Sequence, residues 1–254
     1  MSHDARVCRS GPPLARRATV AVMGLLAWTA ACGNTPTGDG EPQAVDFEWV
    51  KVTHGGGIAI DVAVFKPEDY SDSGGHPLIV ALPWGGGTPS LALGMVDAYW
   101  DTEALARGYV VVSPAILGSS LETEAGDFFP ALFAWLDANV SYDATRVVLA
   151  GASNGGRGVF HALASDPLRF SAIIGMPGSY SGPVESIAPF AGRPAWLMVG
   201  ESDSGWRASA ESTRTTLEAA GISTRLDVLV GQGHVLSVNQ DVLMNWIDEA
   251  LGGS

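Results

Sequence analysis

The sequence predicts an α/β fold: a mainly parallel sheet with an N-terminal antiparallel hairpin, helices on both faces, and little or no lid over the strand ends. Three observations predict it. Six short apolar runs are mostly unbroken, as in strands covered on both faces, and do not alternate as half-exposed strands do. Helical stretches separate them, and strand–helix alternation means βαβ units. Two further strand-like segments come before this series, joined by three consecutive glycines.

The hairpin is first in the chain. FEWVKV and IAIDVAVF flank Gly55-Gly56-Gly57, whose glycines serve the turn. The apolar runs follow as Leu78–Leu82, Tyr109–Ser113, Val147–Ala150, Ala172–Gly175, Ala195–Val199 and Leu226–Val230. Helix candidates lie around residues 97–107, 126–139, 156–165, 206–220 and 238–251. With 254 residues, 46% of them hydrophobic, the chain can bury one sizeable core, and residues 45–254 are expected to form a single domain.

The N-terminus reads as an address. Arg6, Arg9, Arg16 and Arg17 precede an uncharged apolar run, Ala18–Ala31, which is short for a bilayer span and fits a secretory signal. The run ends in Thr29-Ala30-Ala31-Cys32-Gly33. Small residues before a cysteine resemble a bacterial lipoprotein site, at which Cys32 becomes the lipidated first residue. Thr29 departs from that pattern, which usually has Leu there, and ordinary cleavage near Ala31 is the alternative. Residues 1–31 are therefore expected to be removed and residues 32–44 to be a flexible tether rich in Gly, Pro and Thr. The expected location is the bacterial cell envelope, through a lipid anchor, or the exterior. Cys8 and Cys32 are the two cysteines, so the domain has none to pair internally. Beyond residue 31 the chain keeps 10 basic and 26 acidic residues, a formal charge of −16. Such a body repels phosphate backbones, which argues against nucleic-acid binding.

Sheets of this kind place their chemistry beyond the C-terminal ends of the strands. After Val147–Ala150 comes Gly151-Ala152-Ser153-Asn154-Gly155-Gly156, a G-x-S-x-G between strand and helix. The string is weak in a glycine-rich chain, so its context carries the argument. A tight strand-to-helix turn would hold Ser153 at its apex beside the unpaired N–H groups of a helix start. An activated serine needs a base, and the base needs an orienting carboxylate. His234, in the Gly231-Gln232-Gly233-His234 loop after the last strand, suits the base. His161 falls within the helix that follows the serine and is poorly placed. The acid is expected in Gly200-Glu201-Ser202-Asp203, after Ala195–Val199. Asp203 is favoured, with Glu201 the rival. Asp203 could instead cap the next helix. Attack on a carbonyl also needs N–H donors for the developing oxyanion. Asn154 is expected to supply one, and Gly85 or Trp84, in Pro83-Trp84-Gly85-Gly86-Gly87-Thr88, the other. Trp84 could also form an apolar wall.

Taken together, PLIVALPWGGG, VVLAGASNGG, LMVGESD and GQGH resemble the α/β-hydrolases over roughly residues 50–250. More narrowly, GASNGGRGVFHALASDPLRFSAIIGMPGSY is similar to small secreted esterases grouped with polyhydroxybutyrate depolymerases and feruloyl or acetylxylan esterases. That resemblance implies carboxylic-ester hydrolysis through an acyl-enzyme, with no metal or cofactor. Those enzymes usually carry His-Gly where this chain has Pro83-Trp84, which bears on the second oxyanion donor. The short stretch Met176–Pro194 leaves little room for a lid, so short acyl esters or ester groups on a polymer are the expected substrates. A peptidase or acyltransferase on the same fold and a non-catalytic surface binding protein are the competing readings.

Overall fold

The computed structural model describes residues 46–116 and 121–252. The expected signal, tether and lipidation residue Cys32 lie outside the described residues. The hairpin is β1 (Phe47–His54) and β2 (Ile58–Phe65), paired antiparallel from Phe47↔Phe65 to His54↔Ile58. Gly55, Gly56 and Gly57 turn the chain between them with φ of 26°, 76° and 98°, a run of left-handed backbone that side chains would strain.

The series continues as β3 (His76–Leu82), α1 (Pro89–Tyr99), α2 (Glu103–Ala106), β4 (Val110–Pro114), α3 (Leu121–Asn139) and β5 (Tyr142–Gly151). It ends with α4 (Asn154–Ser165), β6 (Ala172–Gly175), a single helical turn α5 (Val184–Ile187), β7 (Pro194–Gly200), α6 (Ser204–Ala219), β8 (Ser223–Leu229) and α7 (Gln240–Ala250). The strands form one sheet in the order β1-β2-β4-β3-β5-β6-β7-β8. Pairing is antiparallel for β1/β2 and β2/β4 and parallel from β4 through β8.

Why the apolar runs are unbroken is visible in the two halves of the core. Leu78, Val80, Leu82, Val147, Leu149 and Leu197 point to one face, where α3 and α4 cover them with Phe128, Phe129, Leu132, Val159 and Phe160. Ile79, Ala81, Val148, Ala150, Trp196 and Met198 point to the other, beneath Met95 and Val96 of α1 and Leu243, Met244 and Ile247 of α7. Successive residues of a strand serve opposite faces, so every position must be apolar.

The α3 helix starts earlier than expected, at Leu121, the turn α5 was not expected, and the largest departure lies between β3 and β4. The stretch 97–107 is two helices with a break at Trp100–Thr102, and the first starts eight residues early, at Pro89. Thr88 caps it through Oγ1, which accepts from the Leu91 N–H, and proline at the first helical position needs no N–H partner. The break is held by α7: Gln240 Oε1 accepts from the backbone N–H of Thr102 and Glu103, capping α2 from a distant part of the chain.

Strand order then places the site. The chain adds β4 on one side of β3 and crosses back to add β5 on the other, so the direction of winding reverses between β3 and β5. The loops leaving β3 and β5 meet at that reversal, where open α/β sheets form their ligand crevice.

Candidate active site

Ser153 sits between β5 and α4 with φ 57° and ψ −111°, and it is the described non-glycine residue with positive φ. Such a backbone costs about 1–3 kcal/mol and persists only where the surroundings enforce it. Here they do. Ser153 N–H donates to Pro177 O at 2.9 Å, Met176 N–H to Gly151 O at 2.8 Å, and Ala152 N–H to Leu82 O at 3.2 Å. The neighbouring glycines are required by contact, not by φ. A Cβ on Gly151 would lie 2.3 Å from Gly155 O, one on Gly155 2.1 Å from Leu82 O, and one on Gly156 1.9 Å from Pro177 O. A side chain at Gly155 or Gly156 would push α4 off the end of β3 or off the Pro177 backbone, and one at Gly151 would collide with the start of α4 itself.

β7 and β8 are neighbours, with Gly200 paired to Leu229, so the loops after them also meet. Ser202 N–H donates to Gln232 O at 2.9 Å. Gly200 permits the approach: a Cβ there would lie 2.0 Å from Gly233 O. Within this junction Asp203 Oδ2 lies 2.6 Å from His234 Nδ1, and His234 Nε2 lies 2.8 Å from Ser153 Oγ. Three residues from three loops thus form one hydrogen-bonded line. Asp203 is the inner end, with a side chain 15% exposed, against 42% for His234. A carboxylate on Nδ1 fixes the ring so that Nε2 is the acceptor facing the serine hydroxyl.

The rival residues have other partners. Glu201 accepts from the Gly231 N–H at 3.0 Å through Oε2 and so braces the histidine loop. His161 lies two turns into α4, on a different cavity. Asp203 is also the residue before α6, yet its side chain makes no capping bond to that helix; it is committed to His234.

On the β3 side, Gly85 has φ 61° and Gly87 φ 60°. A Cβ on Gly87 would lie 1.8 Å from Ile116 O. Among the described residues, the backbone N–H groups of Trp84 and Gly85 have no acceptor. Asn154 was expected to contribute through its backbone, and its side chain adds a contact that sequence reasoning missed: Nδ2 donates to Gly85 O at 2.9 Å. The residue after the serine therefore ties the β3 loop to the elbow. Its signal was the amide side chain at that position, which needs a partner across a gap no sequence shows.

Ser153 and His234 open into a cavity of about 220 Å³ walled by Trp84, Tyr99, Met176, Val235 and Leu236. The buried Tyr99 hydroxyl donates to Leu236 O at 2.8 Å, which anchors the histidine loop to α1. A second, larger cavity of about 780 Å³ lies between α4, the β6–β7 segment and α6, lined by Arg157 and not by Ser153. No group of three His, Cys, Asp or Glu among the described residues is placed to hold a metal ion.

Residues 129–253, just under half of the chain, match the family described as "Putative esterase", a stretch that contains Ser153, Asp203 and His234. No curated protein sequence matches the chain. Among solved structures, a thermostable esterase is similar with 21% identity and a TM-score of 0.66, over 80% of this chain and 62% of its own. Thermogutta terrifontis esterase 2, in a form phosphonylated by cyclosarin, is similar with 14% identity and a TM-score of 0.62, over 80% of this chain and 91% of its own. Dipeptidyl peptidase 4 of Porphyromonas gingivalis is similar with 16% identity and a TM-score of 0.61, over 82% of this chain and only 35% of its own. The chain thus spans about a third of that peptidase and under two thirds of the thermostable esterase. The fold is that of the α/β-hydrolases.

Proposed function

We propose that the chain is a serine carboxylic-ester hydrolase that works through an acyl-enzyme, with Ser153 as nucleophile, His234 as general base and acid, and Asp203 as its orienting carboxylate. The observation that carries this reading is the line Ser153 Oγ–His234 Nε2–Asp203 Oδ2, with separations of 2.8 and 2.6 Å, on a serine with strained backbone. The match of residues 129–253 to an esterase family supports the choice of ester over other acyl substrates.

The chemistry follows from the positions. His234 Nε2 takes the hydroxyl proton as Oγ attacks the ester carbon. Charge collects on the carbonyl oxygen, where the Asn154 N–H and that of Gly85 or Trp84 stabilise it. Preorganised donors there contribute about 3–4 kcal/mol each to the barrier reduction. The imidazolium, held by Asp203, then protonates the departing alkoxide, leaving Ser153 acylated. Water repeats the sequence: His234 takes its proton, hydroxide attacks the acyl carbon, and Oγ leaves with the proton returned.

The apolar cavity of about 220 Å³ accommodates a short acyl chain and not a fatty one. Between β6 and β7 the structure has one helical turn and a 3-10 turn, which favours an open site. The purified full-length protein is expected to hydrolyse p-nitrophenyl acetate and butyrate well faster than palmitate. Ser153→Ala is expected to lower turnover by about 10⁴-fold or more. Equal rates for wild type and variant would overturn the role of Ser153, and faster palmitate hydrolysis would overturn the substrate class.

A further inference from the structure

Arg157 stands one turn beyond Ser153 on α4, and its partners are unusual. Its guanidinium lies 4.7 Å from the ring centroid of Trp206 on α6. Trp206 in turn lies 5.3 Å from the His234 ring, inclined at 45°. The arginine is therefore held at the edge of the triad by an aromatic plate shared with its histidine.

The start of α4 does not favour a cation there. The first turn of a helix carries positive partial charge and disfavours a cation. Acids outnumber bases by 27 to 14 in this chain, yet Arg157 has no carboxylate partner among the described residues. Most other arginines of the domain do: Arg107 meets Asp241 and Asp248, Arg169 Asp166, Arg207 Glu211, Arg214 Glu218 and Arg225 Asp227. Stacking on an indole uses the face of a guanidinium and leaves its N–H edge free to donate. Arg157 lines the cavity of about 780 Å³, whose wall, among the described residues, carries the hydroxyl-bearing Ser179, Ser181, Ser209 and Ser212 and no carboxylate. Glu185 acts electrostatically on Tyr180 of that wall without lining it.

We propose that Arg157, held on Trp206, is an anion subsite that recognises a carboxylate on the ester substrate, whose scissile bond lies at Ser153 while its charged end enters the hydroxyl-lined cavity. The inference rests on the ester-hydrolase reading and narrows its substrate class to esters that carry a carboxylate. Arg157 is here a specificity residue, distinct from the groups that move protons.

Two matched pairs of esters test it on the full-length protein. p-Nitrophenyl hydrogen glutarate against p-nitrophenyl valerate places the carboxylate on the acyl side. p-Acetoxybenzoate against p-tolyl acetate places it on the alcohol side. In at least one pair, Arg157→Ala is expected to reduce the ratio of kcat/KM for the anionic over the neutral ester by about tenfold or more, the usual scale for a lost charge-assisted hydrogen bond. Arg157→Lys should retain part of the preference, and added salt should reduce it in the wild type. An unchanged ratio in both pairs overturns the subsite, including the case where both rates fall together because Trp206 and His234 have shifted. Wild type that turns over the neutral esters and rejects both anionic ones overturns the subsite alone. Wild type that turns over none of the four overturns the ester-hydrolase reading as well. Arg157 is exposed, and a thermal unfolding curve of each variant separates lost recognition from lost fold.

Discussion

Two carboxylates lie two residues apart after β7, and their hydrogen bonds divide the work between them. Asp203 faces His234 Nδ1, whereas Glu201 accepts from the Gly231 backbone. Asp203→Asn would present an amide that can donate to the ring and stabilise the wrong tautomer. It is expected to lower kcat by about 10³–10⁴-fold while leaving the fold intact. Glu201→Gln keeps an acceptor for the Gly231 N–H and should change kcat by no more than a few-fold. Steady-state kinetics of the two variants side by side check this, and the reverse ranking would move the acid to Glu201. Sequence order favoured Asp203, and the choice rests on a 2.6 Å contact that only folding creates. The Asn154 side-chain bond to Gly85 and the Arg157–Trp206 stack were illegible for the same reason: each joins residues about 50–70 positions apart through side chains that have no local pattern.

Among elements, the parallel strands and the hairpin were legible because each has a local cause: doubly buried apolar runs, and three glycines with positive φ. The start of α1 at Pro89 was not read, although Thr88-Pro89 carried a cap and a first-turn proline. The break between α1 and α2 had no local signal, since its cap Gln240 comes from α7. The junction of the β7 and β8 loops shows how an element's end serves the site. Gly200→Ala would place a Cβ 2.0 Å from Gly233 O and displace the loop that holds His234. It is expected to cost about 1–3 kcal/mol of stability and most of the activity. Gly205→Ala, in α6, meets no atom within 4 Å and should leave activity alone while stabilising by about 0.4–1 kcal/mol. Urea unfolding and a turnover assay of both variants distinguish a contact glycine from a free one.

For the whole molecule, the sheet order brings β3 beside β5 and β7 beside β8, and so gathers residues 84–85, 153–154, 203 and 234 at one end of the sheet. The sequence showed which loops to inspect; the strand order that makes them neighbours depends on long-range pairing. We further propose that the N-terminal address exports this domain and that Cys32 is its point of lipid attachment. Labelled palmitate fed to cells expressing the full chain should appear in the wild type and not in Cys32→Ala, and equal labelling would refute the anchor. The central claim is that Ser153 is a nucleophile activated by His234, and the most direct measurement is covalent. A fluorophosphonate probe loses fluoride as Ser153 Oγ bonds to phosphorus, and mass spectrometry locates the adduct. The account predicts one adduct per chain, on the peptide bearing Ser153, abolished in Ser153→Ala and strongly slowed in His234→Ala. No adduct on the wild type, or labelling at the same rate without His234, would contradict it.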